Sequence, residues 1–311
     1  MPQETWPRVA VVGAGAVGCY FGGMLARAGA PVTLIGRATH VEAMNRDGLF
    51  IDSIKVQEKV TVFASTKLED VRDAHLVLFS VKTVDTQSTA QMLAPLLTPL
   101  AIVVSLQNGV DNAEQIRAAS GIPAIPAVVY VATAMTGPGR VKHTGRGDLI
   151  IGNLQTNSGA SPAQLQEVAE TFTRAGVPCK ISQNVTAELW EKLIMNCAYN
   201  AISALLRSKY GRIADDPGTV EVMKQVTKEA VAVAGAVGVP LSEESMIAAV
   251  LKLGKGMPEA LSSTAQDIAR GKPTEIDSLN GFLVRKGAEL GVPTPVNQTL
   301  HSLVKLLEKS R

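Results

Sequence analysis

The chain has 311 residues, 46% of them apolar, and its 30 basic residues outnumber its 28 acidic residues by only two. This length suits two domains with large cores, and the near-neutral charge, with no basic run, argues against a nucleic-acid or membrane-surface partner. No apolar run reaches the roughly 18 residues that span a bilayer, and the start lacks the layout of a signal peptide, so we expect a globular, cytoplasmic protein that binds small molecules.

The first predicted elements are a strand, a turn and a helix, in RVAVVGAGAVGCYFGGMLARAG, with the helix ending near Gly29. Gly13, Gly15 and Gly18 follow the GxGxxG spacing: the first permits a tight turn, the second lets a pyrophosphate approach the backbone, and the third lets the helix pack on the strand. The alternative is a turn that is glycine-rich by chance. The strand and helix context favours a dinucleotide site made of Gly13, Ala14, Gly15, Ala16, Val17 and Gly18.

The end of the next strand, PVTLIG, indicates which dinucleotide is bound. Enzymes that use NAD usually have an acidic residue there for the ribose 2′-hydroxyl, whereas this chain has Gly36 and then Arg37. A guanidinium group can hold a 2′-phosphate through two parallel hydrogen bonds. The pattern favours NADP, and the alternative for Arg37 is a solvated loop cation.

Two apolar runs further on, AHLVLFSVK and AIVVSLQNG, are typical of parallel strands covered on both faces, and GLFIDSIKVQEKVTVFAS before them predicts a hairpin. Lys82 and Asn108 follow these two strands. Ligands bind at the carboxyl ends of strands in an open α/β sheet, so we expect both residues at the same edge as the glycine turn. The alternatives are an exposed lysine and an ordinary Asn-Gly turn.

Histidine and cysteine give no catalytic or metal signature. His143 lies in RVKHTGRGDLIIG, a predicted strand after AIPAVVYVATAM and the turn TGPG, and a lone strand histidine is more often structural. Cys19, Cys179 and Cys197 are odd in number and lie in apolar contexts, which favours reduced thiols. We expect no bound metal.

From about residue 185 the period becomes helical, which predicts a Rossmann-type domain over 1–184 and a helical substrate-binding and catalytic domain over 185–311, with a cleft between them. Four helices are predicted after the first one, with glycines near the ends of three: DPGTVEVMKQVTKEAVAVAGAVG, SEESMIAAVLKLG, TEIDSLNGFLVRKGAELG and VNQTLHSLVKLLEKS, with Gly238, Gly254 and Gly291.

The helix that opens this second domain, around EKLIMNCAYNAIS, carries a narrow polar stripe of Lys192, Asn196 and Asn200 among apolar residues. An enclosed polar stripe suits a bound ligand. Reduction of a carbonyl by a nicotinamide needs a fixed acid, and enclosure lowers the pKa of a lysine toward the working pH, so Lys192 is the predicted proton donor. The alternative is a lysine whose stem packs while its head reaches solvent.

Two helix starts allow both structural and functional interpretations. Ser263 and Gln266 fit a capping box, and Thr274 suits an N-cap followed by Glu275 in the first turn. Should these helix ends point into the cleft, the same side chains would offer a hydroxyl and a carboxylate to a small polar substrate.

Six segments together resemble the 2-dehydropantoate 2-reductases, also called ketopantoate reductases, over essentially the whole chain. They are GAGAVG, SVKTVDT, SLQNGV, VKHTGRGDLIIG, WEKLIMNCAYNAISAL and SSTAQDIARGKPTEIDSLNG. The resemblance implies an α/β fold with a Rossmann-type domain and an all-helical C-terminal domain, of the 6-phosphogluconate-dehydrogenase-like type. It also implies reduction of 2-dehydropantoate to pantoate by NADPH, a step toward pantothenate and coenzyme A.

The resemblance further implies roles for individual residues. Lys192 matches the proton donor, whereas Asn108 and Glu275 match contacts to both cofactor and substrate. The remaining matches are substrate-binding positions and cofactor contacts: Asn196, Asn200 and Ser263 for the former, and Arg37, Lys82 and, through its backbone, Ala134 in the loop TAMTG for the latter.

The chain departs from some characterised members at Ala260 and Tyr210, where they have asparagine, and at Thr264, where methionine is usual. These changes leave the hydride chemistry intact and bear on recognition of the substrate's 4-hydroxyl. The alternatives are therefore an NADP-dependent reductase of another 2-oxo acid or imine on the same fold, and a non-catalytic NADP-binding sensor. A homodimer is compatible with the sequence, which does not decide the oligomeric state.

Overall fold

The computed structural model of the chain describes residues 5–54, 56–154 and 159–310. The chain divides into two compact units, unit 1 (Met1–Val185) and unit 2 (Thr186–Arg311). Unit 1 is an α/β structure and the described part of unit 2 consists of helices and their connections, which confirms the predicted fold class. Within the described residues, no helix is long and apolar enough to cross a membrane.

Unit 1 contains one mixed sheet. In chain order its strands are β1 (Val9–Val12), β2 (Val32–Ile35), β3 (Leu49–Ser53), β4 (Gln57–Val60), β5 (Phe63–Ser65), β6 (Leu76–Phe79), β7 (Ile102–Ser105), β8 (Ala124–Gly137), β9 (Arg140–Ile151) and β10 (Cys179–Ile181). The strand order is β4-β3-β9-β8-β7-β6-β1-β2-β5, and β10 pairs with β9.

The parallel part of the sheet has the order β5-β2-β1-β6-β7-β8, which is the doubly wound arrangement of dinucleotide-binding domains. Every residue of β1, β6 and β7 is buried, as expected for apolar strands covered on both faces. The strand order reverses between β1 and β6, because β2 and β5 lie on one side of β1 whereas β6, β7 and β8 lie on the other. Ligands bind at such a switch point.

The rest of the sheet is built on the long antiparallel pair of β8 and β9. The predicted hairpin is confirmed: β3 and β4 pair antiparallel, and β3 continues the sheet beside β9 in parallel. The sheet packs against the helices of unit 1, which are α1 (Ala16–Arg27), α2 (Ala38–Asp47), α3 (Thr86–Leu93), α4 (Asn112–Ser120) and α5 (Pro162–Arg174). As predicted, α1 ends near Gly29, whose φ of +100° lies in the region that favours glycine.

Unit 2 is formed by helices around α6. They are α6 (Val185–Leu206, which begins at the unit boundary), α7 (Tyr210–Asp215), α8 (Pro217–Ala236), α9 (Glu243–Gly256), α10 (Ser263–Ala269), α11 (Asn280–Leu290) and α12 (Pro295–Lys309). Most apolar side chains of α6 are fully or almost fully buried, so the prediction that this helix is enclosed is confirmed.

Three details of unit 2 differ from the prediction. Gly254 does not end its helix, since α9 continues to Gly256. The hydroxyl that caps α10 is that of Ser262, which accepts from the amide of Ala265, so Ser263 is the first helical residue and not the cap. The segment TEIDSLNG does not run into one helix, because a short 3₁₀ helix (Ile276–Ser278) precedes α11 and the chain bends at Leu279.

The glycine at 254 has a packing role that the sequence did not reveal. A Cβ at Gly254 would lie 2.4 Å from the hydroxyl oxygen of Tyr199 and 2.5 Å from the Cβ of Ala214. Both distances are shorter than real contacts, so any side chain here displaces a buried tyrosine. The absent side chain thus lets α9 pack closely on α6 and α7.

We predict that Gly254→Ala lowers the free energy of unfolding of unit 2 by about 1–3 kcal/mol, the usual cost of overpacking. Gly235→Ala is the matched control, because Gly235 lies in α8 at a position where a Cβ would meet no atom within 4 Å. We expect this control to be neutral or to stabilise by up to about 1 kcal/mol through helix propensity. Thermal and urea unfolding measure both, and equal effects would contradict the packing role.

Candidate active site

The glycine turn between β1 and α1 has the geometry of a phosphate-binding loop. Gly13 has a φ of +106°, and a Cβ there would lie 2.7 Å from the backbone of Ser80 and Val81. A Cβ at Gly18 would lie 2.4 Å from the carbonyl oxygen of Gly13, whereas one at Gly15 would meet no atom within 4 Å. The first and third glycines therefore allow tight packing, and the second leaves open space for a ligand.

The amino end of α1 is free to face an anion. Its N-cap residue is Gly15, which makes no side-chain capping bond, and the first turn carries no acidic residue. The backbone N–H groups and the positive end of the helix dipole favour a bound phosphate. The turn is fastened to the neighbouring strand by Ser80, whose hydroxyl donates to the carbonyl of Gly13 over 2.9 Å. Ser80 follows β6 directly, and its position at a strand end is the signal that could have identified it.

Arg37 lies at the end of β2, at the N-cap position of α2, with an exposed side chain. The preceding Gly36 is needed for space, since a Cβ there would lie 2.7 Å from the Cβ of Ala14 in the glycine turn. The end of β2 and the glycine turn therefore touch. This contact brings a cation beside the predicted pyrophosphate site, with no carboxylate in the residues between β2 and α2.

Lys82 and Asn108 follow β6 and β7, the two strands next to β1 on one side. A largely buried set of polar side chains holds the two loops together. The amide nitrogen of Gln107 donates to the Thr86 hydroxyl over 2.7 Å, and that of Asn112 donates to the carbonyl of Asn108 over 2.6 Å. The sequence analysis missed Gln107 and Asn112, although polar residues after a buried strand are a usable signal.

The Asn-Gly turn that the sequence analysis gave as the alternative for Asn108 is present, since Gly109 has a φ of +106°. A structural role for Asn108 in the turn and a functional role for its side chain are therefore compatible. Lys82, Asn108 and the glycine turn share the carboxyl edge of the parallel strands, as the sequence analysis expected.

Two other residues of unit 1 that the sequence analysis discussed, Ala134 and His143, lie in the strands β8 and β9. Ala134 lies within β8 and pairs with Lys142 of β9, so its placement in a loop was wrong. It is close to a register irregularity between Val131 and Thr133, which makes the ladder imperfect there. His143 is buried: its Nε2 donates to the backbone carbonyl of Arg146 and its Nδ1 shares a hydrogen bond with the Ser53 hydroxyl, which is a structural role.

In unit 2, Lys192, Asn196 and Asn200 occupy successive turns of α6 and share one face. Lys192 and Asn196 are half-buried, and Asn200 is buried. Burial lowers the pKa of Lys192 from 10.5 to about 8, whereas the negative charge of Glu275 acts in the opposite direction. The stripe therefore combines a lysine that titrates near neutral pH with uncharged amides.

Glu275 belongs to a turn that is fixed on both sides. Just before it, the backbone N–H of Thr274 donates to the Glu308 carboxylate over 2.7 Å, and the Thr274 hydroxyl accepts from the N–H of Ile276. Just after it, the Asp277 carboxylate accepts from Lys305 of α12 over 2.8 Å. Thr274 thus acts as a cap, but of the 3₁₀ helix, and Glu275 stands at the N-cap position itself.

The start of α11 is in turn attached to α6 by buried amides. The side-chain nitrogen of Asn280 donates to the carbonyl of Cys197 and to the side-chain oxygen of Asn297, over 3.2 and 2.9 Å. Asn297 donates to the carboxylate of Glu229 over 2.7 Å. The element that carries Glu275 is therefore held in register with the helix that carries Lys192.

Ser263 is exposed at the first position of α10. Its neighbour Ser262 is buried and donates its hydroxyl to the carbonyl of Asn200 over 3.2 Å. The serine pair is thus joined to the far end of the stripe through Ser262. A further residue that the sequence analysis did not place in the site as a contact is Tyr210, whose hydroxyl donates to the side-chain oxygen of Asn200 over 3.4 Å.

A doubly wound sheet with this glycine turn defines a dinucleotide-binding protein, and the enclosed lysine of unit 2 is suited to proton transfer. Comparison with known proteins gives the family: residues 9–156 match the family described as "Ketopantoate reductase PanE/ApbA", and residues 184–308 match its C-terminal part, "Ketopantoate reductase PanE/ApbA C terminal". The chain belongs to the ketopantoate reductase family, a family of dinucleotide-binding oxidoreductases.

Relatives and solved structures agree over nearly the whole chain. The 2-dehydropantoate 2-reductase of Halobacterium salinarum is 34% identical, covering 97% of this chain and 99% of its own, and that of Pyrococcus horikoshii is 33% identical, covering 97% of each. A PanE/ApbA family ketopantoate reductase from Ralstonia eutropha JMP134 superposes with a TM-score of 0.90 at 48% identity, over 97% and 99% of the two chains.

A structure of D-mandelate dehydrogenase with NADH and anilino(oxo)acetate has a TM-score of 0.91 at 24% identity, over 97% of this chain and 98% of that one. At this identity the likeness shows the fold alone. It indicates that the same backbone also occurs in a protein with a different name and a bound NADH.

The depressed pKa of Lys192 has a consequence for stability. The folded pKa of about 8 lies below the ordinary value of 10.5, so the folded state holds the charged lysine less readily than the unfolded chain does. Burial of the charged lysine therefore lowers the free energy of unfolding. The loss is largest below about pH 8, decreases as the pH rises from 8 to 10.5, and is absent above 10.5. We predict that Lys192→Met raises the free energy of unfolding by ~1–3 kcal/mol at pH 7 and by much less near pH 10.5.

Urea unfolding at both pH values measures this effect. Lys252→Met is the control, because Lys252 is an exposed lysine of α9, and it should change stability by less than about 0.5 kcal/mol. A Lys192→Met variant that is less stable than the wild type at pH 7 would show that the lysine is not buried as a charge.

Proposed function

We propose that the chain is an NADPH-dependent 2-dehydropantoate 2-reductase, which reduces the ketone of 2-dehydropantoate to the secondary alcohol of pantoate. The observation that carries this proposal is Lys192, a lysine on an enclosed helix whose pKa falls to about 8 beside Glu275. NADPH, when bound, supplies the hydride that forms the new C–H bond and leaves as NADP⁺. The remaining requirement is a proton for the carbonyl oxygen.

Lys192 meets this requirement. With a pKa of about 8 it is largely protonated at neutral pH and yet gives up its proton more readily than an exposed lysine. Before transfer, the ammonium N–H polarises the carbonyl; afterwards, the proton remains on the product oxygen and the neutral amine is reprotonated from solvent. The negative charge of Glu275 raises the pKa of the lysine and so keeps the proton in place until the reaction.

Substrate binding is assigned to the polar stripe and its surroundings. Asn196 and Asn200 lie one and two turns beyond Lys192 and can hydrogen-bond a keto acid without adding charge. Ser263, Asn108 and Glu275 complete the proposed set of substrate contacts. The exposed hydroxyl of Ser263 is free of the capping role, which Ser262 fills.

The dinucleotide is assigned to unit 1. The turn Gly13–Gly18 holds the pyrophosphate, and its fit rests on the open space at Gly15 and the uncapped start of α1. Arg37 and Lys82 bind the 2′-phosphate end, which selects NADPH over NADH. Asn108, Ala134 and Glu275 are the remaining proposed cofactor contacts.

In the cell we place this reaction in the cytoplasm, on the route to pantothenate and coenzyme A. All three cysteines are unpaired, which fits a reducing compartment. We propose that the protein acts without a metal, since proton donation by Lys192 replaces a Lewis acid.

The substrate and the proton donor are tested together. We expect the wild type to oxidise NADPH faster with ketopantoate than with pyruvate, 2-oxobutyrate or 2-oxoisovalerate. Lys192→Ala should lower kcat by about 10²–10⁴, the contribution of a placed general acid, while Lys252→Ala should behave as the wild type. Absorbance at 340 nm follows both.

Two results would contradict parts of the proposal. If the wild type prefers another keto acid, the proposed reaction class stands and the proposed substrate is wrong. Tight NADPH binding with no turnover of any keto acid would instead favour a sensor.

In the active wild type, kcat/KM should fall as the pH rises above about 8, because Lys192 loses its proton there.

The cofactor assignment has its own test. Arg37→Ala should raise KM for NADPH by about 10- to 100-fold, since it removes charge-assisted bonds to the 2′-phosphate. KM for NADH should change by less than about twofold, because NADH lacks that phosphate. Arg72→Ala is the control, as Arg72 is an exposed arginine that precedes β6 and so lies toward the other end of the strands. An equal loss with both cofactors would exclude Arg37 as the 2′-phosphate ligand.

A further inference from the structure

Two buried tyrosines of unit 2 lie against each other beside the end of the polar stripe. The ring centroids of Tyr199, in α6, and Tyr210, at the start of α7, are 4.4 Å apart with the planes inclined by 31°. Tyr199 is 0% exposed and Tyr210 is 9% exposed. Despite their shared packing, the two hydroxyl groups have different partners.

The Tyr199 hydroxyl donates to the backbone carbonyl of Val250 in α9, over 2.9 Å. This bond fastens α6 to α9 and involves no side chain of the stripe. The hydroxyl of Tyr210 instead donates to the side-chain oxygen of Asn200, over 3.4 Å. Only the second tyrosine therefore acts on a predicted substrate-binding group.

The position of Tyr210 is set by its backbone. Its N–H donates to the carbonyl of Ala260 over 2.9 Å, and the next N–H, of Gly211, donates to the carbonyl of Pro258 over 3.0 Å. Gly211 is required by this approach, because a Cβ there would lie 2.8 Å from Pro258. The phenol thus has a fixed anchor on the segment that leads to Ser262 and α10.

The direction of this hydrogen bond decides which polar atom of the Asn200 side chain is available to a ligand. A carboxamide has one oxygen that accepts and one nitrogen that donates. Burial, with the neighbouring Tyr199 as a smaller cause, raises the pKa of Tyr210 well above its ordinary value, so its hydroxyl remains a donor. The Tyr210 hydroxyl donates to the side-chain oxygen of Asn200 and so holds that oxygen toward Tyr210. The side-chain nitrogen of Asn200 then points away from Tyr210.

We propose that Tyr210 is a positioning residue for substrate binding: its hydroxyl fixes the amide orientation of Asn200, so that Asn200 presents its nitrogen as a donor to an acceptor oxygen of the 2-oxo acid. The inference rests on the proposed function and deepens it. The acceptor is either the carboxylate common to all 2-oxo acids or the 4-hydroxyl oxygen of ketopantoate.

The main test compares Tyr210→Phe with Tyr199→Phe in the full-length enzyme, with saturating NADPH. Each variant loses one hydroxyl and keeps its ring, so similar changes in melting temperature are expected. Tyr210→Phe should raise KM for the keto acid by about three- to tenfold, the usual worth of one hydrogen bond, with kcat within about twofold. Tyr199→Phe should leave KM unchanged.

A double-mutant cycle separates positioning from general loosening of the structure. In the Asn200→Ala background, the effect of Tyr210→Phe on KM should fall below about twofold, because the group that it orients is absent. An unchanged KM in Tyr210→Phe, or an equal rise of KM with and without Asn200, would overturn the proposal.

The choice of keto acid distinguishes the two acceptors. A similar rise of KM for ketopantoate and for 2-oxoisovalerate, which lacks the hydroxyl, assigns Asn200 to the carboxylate. A rise for ketopantoate alone assigns it to the hydroxyl oxygen. Should the wild type reduce neither acid, the proposed function fails; should it reduce them while the cycle shows no coupling, only this inference fails.

A second variant keeps the test decisive if Tyr210→Phe does not fold. Asn200→Asp replaces the donor nitrogen by an acceptor oxygen at nearly constant size. It should raise KM for the keto acid at least as much as Asn200→Ala does, because two acceptor oxygens would then face each other. Retention of the wild-type KM in Asn200→Asp would overturn the proposed orientation.

Discussion

The electrostatic relation between Lys192 and Glu275 is the constraint on which the arrangement of unit 2 depends. A lysine on an enclosed apolar helix loses hydration, which lowers its pKa, while the negative charge of Glu275 favours the charged form. The balance requires that Glu275 stay at a fixed distance. The bonds of the Thr274 backbone to Glu308, of Asp277 to Lys305 and of Asn280 to α6 supply that rigidity. These bonds hold the turn that carries Glu275 against the helices around it.

The proposed dinucleotide site of unit 1 is of a different kind, since it is made of backbone groups. Close approach of the glycine turn to β6 and to the end of β2 depends on missing side chains at Gly13 and Gly36. The loops after β6 and β7 are in turn kept in place by bonds among Gln107, Thr86 and Asn112. Backbone N–H groups need no side-chain rotamer to be selected, so a site of this kind is preorganised for an anion.

The parts of the structure that could be predicted from sequence are those with a local physical signal. The buried strand LVLF and the enclosed stripe of α6 follow from the pattern of apolar residues, and the glycine turn follows from its GxGxxG spacing. The errors arose where tertiary packing decides. Two adjacent serines offer the same capping chemistry, and Ser262 caps α10 because it is also buried against Asn200. Gly254 resembles a helix end, yet it lies inside α9, where the close approach of the Tyr199 hydroxyl leaves no room for a Cβ. The partner of the Tyr210 hydroxyl had no local signal at all.

In the proposed function, proton delivery and substrate selection depend on different neighbours of the same helix. The first turn of the stripe, at Lys192, is governed by Glu275 and the segment before α11. Its last turn, at Asn200, is governed by Tyr210 and by the segment from Pro258 to Ser262. Because Lys192 and Asn200 lie about 12 Å apart along the axis of α6, a change beside one of them need not disturb the other. On this proposal, substitutions at Tyr210 or Ala260 would change which keto acid is held without changing the proton donor, so the fold would constrain the reaction class more strongly than the substrate.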